Sequence, residues 1–100
     1  MNARIQELVR ELVASGVEPS SSNDHGTALH QLAAALAGEG AESNDVLELL
    51  EHAYPSVRAA ALRACVLRRD DGMVERALAL VADRSEYVRW TLAWALAKDP

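Results

Sequence analysis

Apolar residues recur along the chain every three or four positions, and polar residues fill the places between them. Near the amino end the aliphatic side chains follow the i, i+3, i+4, i+7, i+8 order of one helix face: Ile5, Leu8, Val9, Leu12, Val13. Comparable stripes follow in the rest of the chain: Leu29, Leu32, Ala33 and Leu36; Val46, Leu49, Leu50 and Ala53; Val57, Ala60, Ala61, Ala64 and Cys65; and Met73, Val74, Ala77, Leu78 and Val81. We therefore predict six amphipathic α-helices and an all-α fold.

Turn-forming residues separate the predicted helices. The first helix stops at Gly16, within a long loop at about residues 14–26, and the glycines of segment 38–40 end the second helix. Pro55 suits the first turn of a helix, so the fourth helix is predicted to begin there. Ser85 is a suitable N-cap for the sixth helix.

The second half of the chain contains an internal repeat. At a spacing of thirty-one residues the matched pairs include Leu47 with Leu78, Leu50 with Val81, Val57 with Val88, Arg58 with Arg89, and Ala64 with Ala95. The first two helices join this pattern more loosely. Repeats of this length indicate stacked helical hairpins. We expect residues 1–100 to form a single helical-repeat domain, an α-solenoid with hairpins at about 3–37, 44–69 and 72–98.

The repeated segments LELLEHAYPSVRAAALRA and LALVADRSEYVRWTLAWALA resemble HEAT repeats, particularly the short bacterial kind that also occurs in phycobilisome lyases. In both segments an aliphatic helix is followed by a turn, and Val-Arg opens the next helix. The resemblance covers residues 44–98, and residues 3–37 share only the helix pattern. It implies a stacked helical scaffold.

The HEAT pattern also places an Asp six residues before the Arg of the second helix. Asp83 and Arg89 match it, and we expect these two to bind each other and backbone groups across one hairpin turn. In the preceding repeat His52 takes the place of the acid before Arg58. The bonding of that turn is left open.

The first half carries a second resemblance. Gly26, Thr27, Leu29 and His30 are similar to the ankyrin stretch in which a loop ending in glycine precedes Thr-Pro-Leu-His, but Ala28 stands where proline is expected. The next helix is also delayed by the segment GEGAES. Either resemblance implies stacked hairpins.

The two tryptophans of the chain lie on the predicted sixth helix. Val88, Leu92 and Ala95 point to one side of that helix, whereas Trp90 and Trp94 point nearly opposite. The alternatives are a surface for a partner, or packing of the indoles on the fifth helix or over the open end of the stack.

Since second helices of HEAT-like hairpins line a concave face, the resemblance allows positions on different helices to be compared. It groups the tryptophans in a groove to which Arg63 contributes a cation-π contact with a Trp ring. The predicted partner-binding residues are Arg63, Trp90, Trp94, Ala59 and Gln31.

The net charge of -5 is unevenly distributed. Residues 1–57 hold two Arg against nine acids, and residues 58–100 hold eight basic residues against six acids. This asymmetry allows head-to-tail self-association, whereas the acidic total disfavours general phosphate binding. Arg58, Arg63 and Arg68 point in different directions around the fourth helix, so we interpret the arginines as a solvated surface and not as a basic stripe.

No catalytic, metal or cofactor site is predicted. His25, His30 and His52 lack the i, i+4 spacing of a zinc helix. Asp24 and His25 lie beside three serines, but a serine-rich loop does not hold a nucleophile rigidly. Nucleotide-binding glycine motifs are absent, and a single cysteine, Cys65, excludes an internal disulfide.

The sequence therefore predicts a non-enzymatic, cytoplasmic protein that binds a protein or peptide partner on its concave face. Alternatives are a nucleic-acid-binding or DNA-repair accessory domain and a non-catalytic subunit of a lyase-type enzyme. No membrane association is expected, since no apolar run approaches the ~20 residues of a membrane span. The last residues, Lys98-Asp99-Pro100, would suit the start of a further hairpin.

Overall fold

The computed structural model describes residues 3–15, 26–38, 41–68 and 71–98, and these residues form helices and turns without a strand. The predicted all-α class is confirmed. The elements, in chain order, are α1 (Ala3–Ser15), α2 (Gly26–Ala37), α3 (Ser43–Leu49), α4 (Pro55–Arg68), α5 (Asp71–Leu78), a 3₁₀ turn (Ala79–Ala82) and α6 (Glu86–Lys98).

The helices pack around one apolar core. We call α1 with α2 hairpin 1, α3 with α4 hairpin 2, and α5, the 3₁₀ turn and α6 hairpin 3. α3 packs on α4, whereas in hairpin 3 it is the 3₁₀ turn that packs on α6. The burial in α1 follows the apolar stripe: Ile5, Leu8 and Leu12 are buried, while the neighbouring Arg4 and Glu7 are exposed. α1 packs chiefly on α2.

α4 is the central helix of the molecule. It packs most extensively against α2 and α6, and it also contacts α1, α3 and α5. Alanine is the commonest residue of α4, and its small side chain permits close approach of neighbouring helices. As a result every residue from Ser56 to Val66 is buried except Arg63. A helix enclosed in this way is apolar almost all round.

α3 is shorter than its apolar stripe predicts. The stripe extended to Ala53, but the helix ends at Leu49, and Ala53 is exposed in the turn that precedes Pro55. A proline restricts the residue before it to extended conformations, which favours a helix end upstream. The N-cap of α3 is Glu42, which makes no side-chain capping bond.

α5 tightens into a 3₁₀ turn over Ala79–Ala82. Met73 and Ala77 are buried as predicted, but Leu78 and Val81 from the same predicted stripe are exposed. A 3₁₀ turn has three residues per turn instead of 3.6, so the change rotates Val81 away from the original helix face. Leu78 is the last residue of α5 and is exposed before the turn begins. Hairpin 3 therefore presents apolar side chains on its outer side.

Candidate partner-binding surface

Arg63 and Trp94 make a direct contact between α4 and α6. The guanidinium carbon of Arg63 lies 4.7 Å from the centroid of the Trp94 ring, which is a cation-π geometry. The contact predicted from the repeat register is therefore present. It arises because α4 and α6 lie side by side, and because both side chains occupy the same place in the repeat.

Three aromatic residues form a row along α6. Tyr87 and Trp90 have ring centroids 6.1 Å apart, and the rings of Trp90 and Trp94 are stacked with centroids 6.4 Å apart. The spacings of three and four residues place all three on one face of the helix. Tyr87 and Trp94 are half-buried, whereas Trp90 is 57% exposed.

The opposite side of α6 faces the core. Val88, Leu92 and Ala95 are buried there, in agreement with the predicted division of the helix. The aromatic row is consequently held on a helix that is fixed from behind. Its rings are positioned before any partner arrives.

The guanidinium of Arg63 lies close to the protein and not out in solvent. Burial lowers the pKa of Arg63, while the nearby Tyr87 acts in the opposite direction. Arginine remains charged at neutral pH in either case. The surface therefore places one positive charge beside the aromatic row.

Two other predicted partner-binding residues have different environments. Ala59 is 0% exposed, so its prediction as a partner-binding residue is wrong. The reason is that α4 is enclosed by its neighbours and leaves only Arg63 partly accessible along its central turns. Gln31 is exposed on α2, but α4 lies between α2 and α6. Two helix spacings, roughly 16–20 Å, separate its helix from the tryptophans.

Leu67 is an exposed apolar residue that the sequence reasoning missed. It lies on α4 one turn after Arg63 and is 55% exposed. The i, i+4 spacing places it on the same helix face as Arg63. Leu67 lies outside the apolar stripe of α4, and this position could have identified it from the sequence as an exposed residue. We define the aromatic-arginine surface as Arg63, Leu67, Tyr87, Trp90 and Trp94.

A second polar contact joins hairpins 2 and 3 away from this surface. Arg58 donates from Nε and from Nη2 to the two carboxylate oxygens of Asp83, each at 2.9 Å. Arg58 also donates from Nη1 to the carbonyls of His52 and Ala53, at 2.8 and 3.0 Å. Both side chains of the ion pair are nearly buried. The acid missing from the turn of hairpin 2 is thus supplied by hairpin 3.

The geometry corrects the predicted pairing of Asp83 with Arg89. Arg89 does bind across its own turn, but it donates to the main-chain carbonyl of Asp83. The carboxylate is directed away to Arg58 and also accepts the N–H of Ser85 at 2.8 Å. The hydroxyl of Ser85 accepts the N–H of Val88 at 3.3 Å and so caps α6.

These bonds determine the ionisation of Asp83. Burial raises the pKa of its carboxyl group, but the hydrogen bonds from Arg58 and Ser85 and the charges of Arg58 and Arg84 together outweigh burial. The net result is a pKa below the ordinary value of 3.8. Asp83 is therefore an anion at neutral pH and a stable partner for Arg58.

Arg58 and Arg68 of α4 bind other parts of the protein, so their interpretation as a solvated surface is wrong for Arg58 and incomplete for Arg68. Arg68 donates to the carbonyls of Leu36 and Ala41, at 2.9 and 3.3 Å, and to the hydroxyl of Ser43 at 3.4 Å. It thereby ties the end of α4 to the connection between α2 and α3. Because Arg58 and Arg68 are directed to different parts of the protein, they do not form a basic stripe along α4.

His52 is the histidine whose side chain the structure describes. Its Nδ1 accepts the N–H of Tyr54 at 3.1 Å, and burial together with the charge of Arg58 lowers its pKa. Asp24, His25 and the serines at 20–22 lie outside the described residues, as does the side chain of His30. Within the described part of the chain no group of three or more His, Cys, Asp or Glu residues could hold a metal ion.

The sequence profile of HEAT repeats matches residues 43–98. The chain belongs to the HEAT-repeat family. The matched region contains hairpins 2 and 3, the Arg58–Asp83 ion pair and the whole aromatic-arginine surface. Neither a curated protein nor a solved structure matches the chain. The ankyrin resemblance falls outside the matched residues and stays a prediction.

HEAT repeats generally mediate protein–protein interactions and are typically non-catalytic scaffolds. A protein partner is therefore the class of ligand that the family supports. Among the helices described here, none has the length and apolar character that would let it cross a membrane.

Proposed function

We propose that this HEAT-repeat chain is a non-catalytic, cytoplasmic binding module that accepts a peptide or helix of a partner protein on the aromatic-arginine surface. The observation that carries the proposal is the exposure of Trp90 within a fixed row of aromatic rings beside Arg63. Large apolar side chains exposed beside one another are typical of interaction sites.

The residue types of this surface support the proposal. Tryptophan, tyrosine and arginine are the residues that most often dominate binding energy at protein interfaces. Burying the exposed part of a large apolar side chain contributes up to about 3 kcal/mol. Because α6 is held by the buried Val88 and Leu92, little ordering of the binding surface is required when a partner docks.

The shape of the surface indicates the size of the partner segment. Tyr87, Trp90 and Trp94 extend over eight residues of α6, and the first and last of them are about 10 Å apart along the helix axis. A partner segment of two to three helical turns would cover this length. Gln31 could be reached only by a partner that crosses α4 to the side of α2.

The test is an affinity measurement on matched variants. A protein recovered with the intact chain from an extract of its source is purified, and its Kd is measured for the intact chain, Trp90→Ala, Trp94→Ala and a control variant. We expect each tryptophan variant to raise Kd at least tenfold, which corresponds to about 1.4 kcal/mol.

Val81→Ser is the matched control. It also removes an exposed apolar side chain, but on the 3₁₀ turn after α5 instead of the aromatic face of α6. Its Kd should equal that of the intact chain. Tryptophan variants that stay folded and bind as tightly as the intact chain would remove the proposal.

A further inference from the structure

The turns that precede α4 and α6 are built in the same way. In the first turn, Nδ1 of His52 accepts the N–H of Tyr54, two residues further on, at 3.1 Å. In the second turn, Oδ1 of Asp83 accepts the N–H of Ser85, also two residues further on, at 2.8 Å. His52 and Asp83 are thirty-one positions apart, so a histidine nitrogen takes the place of a carboxylate oxygen in the repeat.

The arginines that follow these turns are also equivalent. Arg58 donates from Nη1 to the carbonyl of His52, and Arg89 donates from Nη1 to the carbonyl of Asp83. The main-chain N–H of each arginine binds the carbonyl four residues earlier, at 3.1 Å in both turns. In each hairpin, therefore, the residue that accepts the turn N–H also supplies the carbonyl that anchors the arginine of the following helix.

The two acceptors differ in their proton chemistry. The ordinary pKa is 6.5 for a histidine and 3.8 for an aspartate. Nδ1 of an imidazole accepts a hydrogen bond only while it carries no proton, so the ring of His52 is neutral with its proton on Nε2. A second proton converts Nδ1 into a donor that faces the N–H of Tyr54, and the bond is lost. The carboxylate of Asp83 remains an acceptor at the same pH.

The surroundings of His52 oppose this second proton. Burial lowers the pKa of its imidazole, and the positive charge of Arg58 lowers it further. Tyr54 contributes an uncharged ring in an edge-to-face arrangement, with the ring centroids 6.1 Å apart. The unfolded chain lacks these effects and takes up the proton more readily, so protonation of His52 disfavours the folded turn.

The other charged groups around this turn are bound elsewhere or exposed. The carboxylate of Asp83, in the turn before α6, accepts two hydrogen bonds from Arg58, and the charge of Arg84 in that same turn acts on Asp83. Four further charged side chains, on or just after α3 and on α5, are exposed: Glu48, Glu51, Glu75 and Arg76. Arg58 is therefore the charge that acts on the imidazole, and it has the sign that repels a proton.

We propose that the turn between α3 and α4 is a pH-sensitive element in which protonation of His52 breaks the bond to Tyr54 and loosens the anchorage of Arg58. The carbonyl of His52 lies 2.8 Å from Nη1 of Arg58, so a turn that reorients withdraws one acceptor from the guanidinium. The same guanidinium binds Asp83 across the junction of hairpins 2 and 3. A change from neutral to mildly acidic pH thereby weakens the attachment of hairpin 3 to hairpin 2, while Asp83 itself stays ionised.

The first experiment follows the intact chain by NMR between about pH 8 and about pH 5. We expect the His52 ring to titrate below the ordinary 6.5, and the N–H of Tyr54 and the Nε–H of Arg58 to shift with the same midpoint. Once His52 is protonated, both hydrogens should also exchange with water roughly threefold or more faster relative to the N–H of Ser85. Ser85 is the internal control, because its acceptor Asp83 has a pKa below 3.8 and keeps its charge in this range.

His52→Asn is the matched variant. Its amide oxygen can accept the N–H of Tyr54, as Oδ1 of Asp83 accepts that of Ser85, but it does not titrate. The stability that depends on the neutral His52 ring is complete above 6.5 and is lost as the pH falls towards the folded-state pKa. In urea unfolding, the folding equilibrium constant of the intact chain should therefore fall roughly two- to threefold more between the two pH values than that of His52→Asn.

Three results would overturn the proposal. The first is a His52 ring that titrates at or above the ordinary 6.5, because folding would then not oppose the proton. The second is a Tyr54 N–H and an Arg58 Nε–H that keep their shifts and exchange rates while the ring titrates. The third is the same pH response in His52→Asn, which would assign the response to His25 or His30. No partner takes part in either experiment, so the outcome is independent of the proposed function.

Discussion

Arg58 and Asp83 form a bidentate ion pair between residues that are twenty-five positions apart and belong to different hairpins. The pair lies at the interface of α4 with hairpin 3, whose other buried residues are mostly alanines and aliphatic side chains. Apolar contacts are not directional, whereas two parallel hydrogen bonds require one relative placement. We interpret the pair as the feature that fixes how hairpin 3 sits on hairpin 2.

Removing the carboxylate should be costly for stability. Asp83→Ala leaves Arg58 nearly buried without its anionic partner, although the carbonyls of His52 and Ala53 remain. Breaking a buried ion pair from one side costs roughly 3–5 kcal/mol. We expect a loss near the lower end of that range, measured as the free energy of unfolding in urea.

An exposed ion pair provides the comparison for that loss. Arg4 and Glu7 on α1 lie 3.9 Å apart, and both side chains are largely exposed. Glu7→Ala should change the free energy of unfolding by about 0.2–1 kcal/mol at most. Equal effects of Asp83→Ala and Glu7→Ala would contradict the structural role of the buried pair.

From the lowered pKa of Asp83 we predict that the free energy of unfolding decreases at acidic pH. The pKa of Asp83 is lowered in the folded protein, so its contribution is complete well above 3.8 and is lost as the pH falls through the folded-state pKa. Urea unfolding measured between neutral pH and pH 3 should show stability falling at the acid end. The unfolded state binds the proton more readily, which sets this sign.

Asp83→Asn tests whether Asp83 causes this loss of stability at acidic pH. The variant keeps a hydrogen-bond acceptor for Ser85 but cannot lose a charge, so its stability should depend less on pH below 3.8 than that of the intact chain. It should also be less stable at neutral pH. If both proteins lose the same amount of stability at acidic pH, other carboxylates are responsible for the loss.

The sequence predicted the features that depend on neighbours along the chain. The apolar stripe of α1, the start of α4 at Pro55 and the capping of α6 by Ser85 all follow from residues within one or two helical turns. The Arg63–Trp94 contact was also predictable, because the repeat register transfers position from one helix to the next.

Features that depend on how hairpins sit on each other were harder to predict. Ala59 shares its register with the exposed Trp90, but its helix is covered on the side where α6 is open. In the same way, Arg89 is close to Asp83 in the sequence, but the carboxylate of Asp83 binds Arg58 of the preceding hairpin. The repeat register identifies equivalent positions, and it does not show which of them is covered by a neighbouring helix.

Leucines on two sides of α4 should respond very differently to truncation. Leu62 on α4 is fully buried, whereas Leu67 on the same helix is largely exposed. Leu62→Ala should cost about 2.7–5.0 kcal/mol, since it removes buried methyl groups and leaves a cavity. Leu67→Ala should cost well under ~1 kcal/mol. Urea unfolding of both variants would measure the difference, and similar losses would contradict the central position of α4.

The contact of Arg63 with Trp94 predicts a spectroscopic change. In a Trp90→Phe background, Trp94 is the single indole, and Arg63→Gln removes the cation that lies 4.7 Å from its ring centroid. We expect the emission maximum to move to longer wavelength and acrylamide quenching to increase, because water then reaches the ring face. The free energy of unfolding should fall by about 0.5–1 kcal/mol.

Arg76→Gln in the same background separates this effect from a general loss of positive charge. Arg76 is exposed on α5, outside the aromatic-arginine surface, so its substitution should leave the emission and quenching of Trp94 unchanged. Arg63→Lys should give an intermediate result, because an ammonium group keeps the charge but lacks the planar face that stacks on an indole. If Arg63→Gln leaves the Trp94 spectrum as it is in the parent background, the guanidinium does not cover the ring in solution. The surface offered to a partner would then consist of the aromatic row without the adjacent charge.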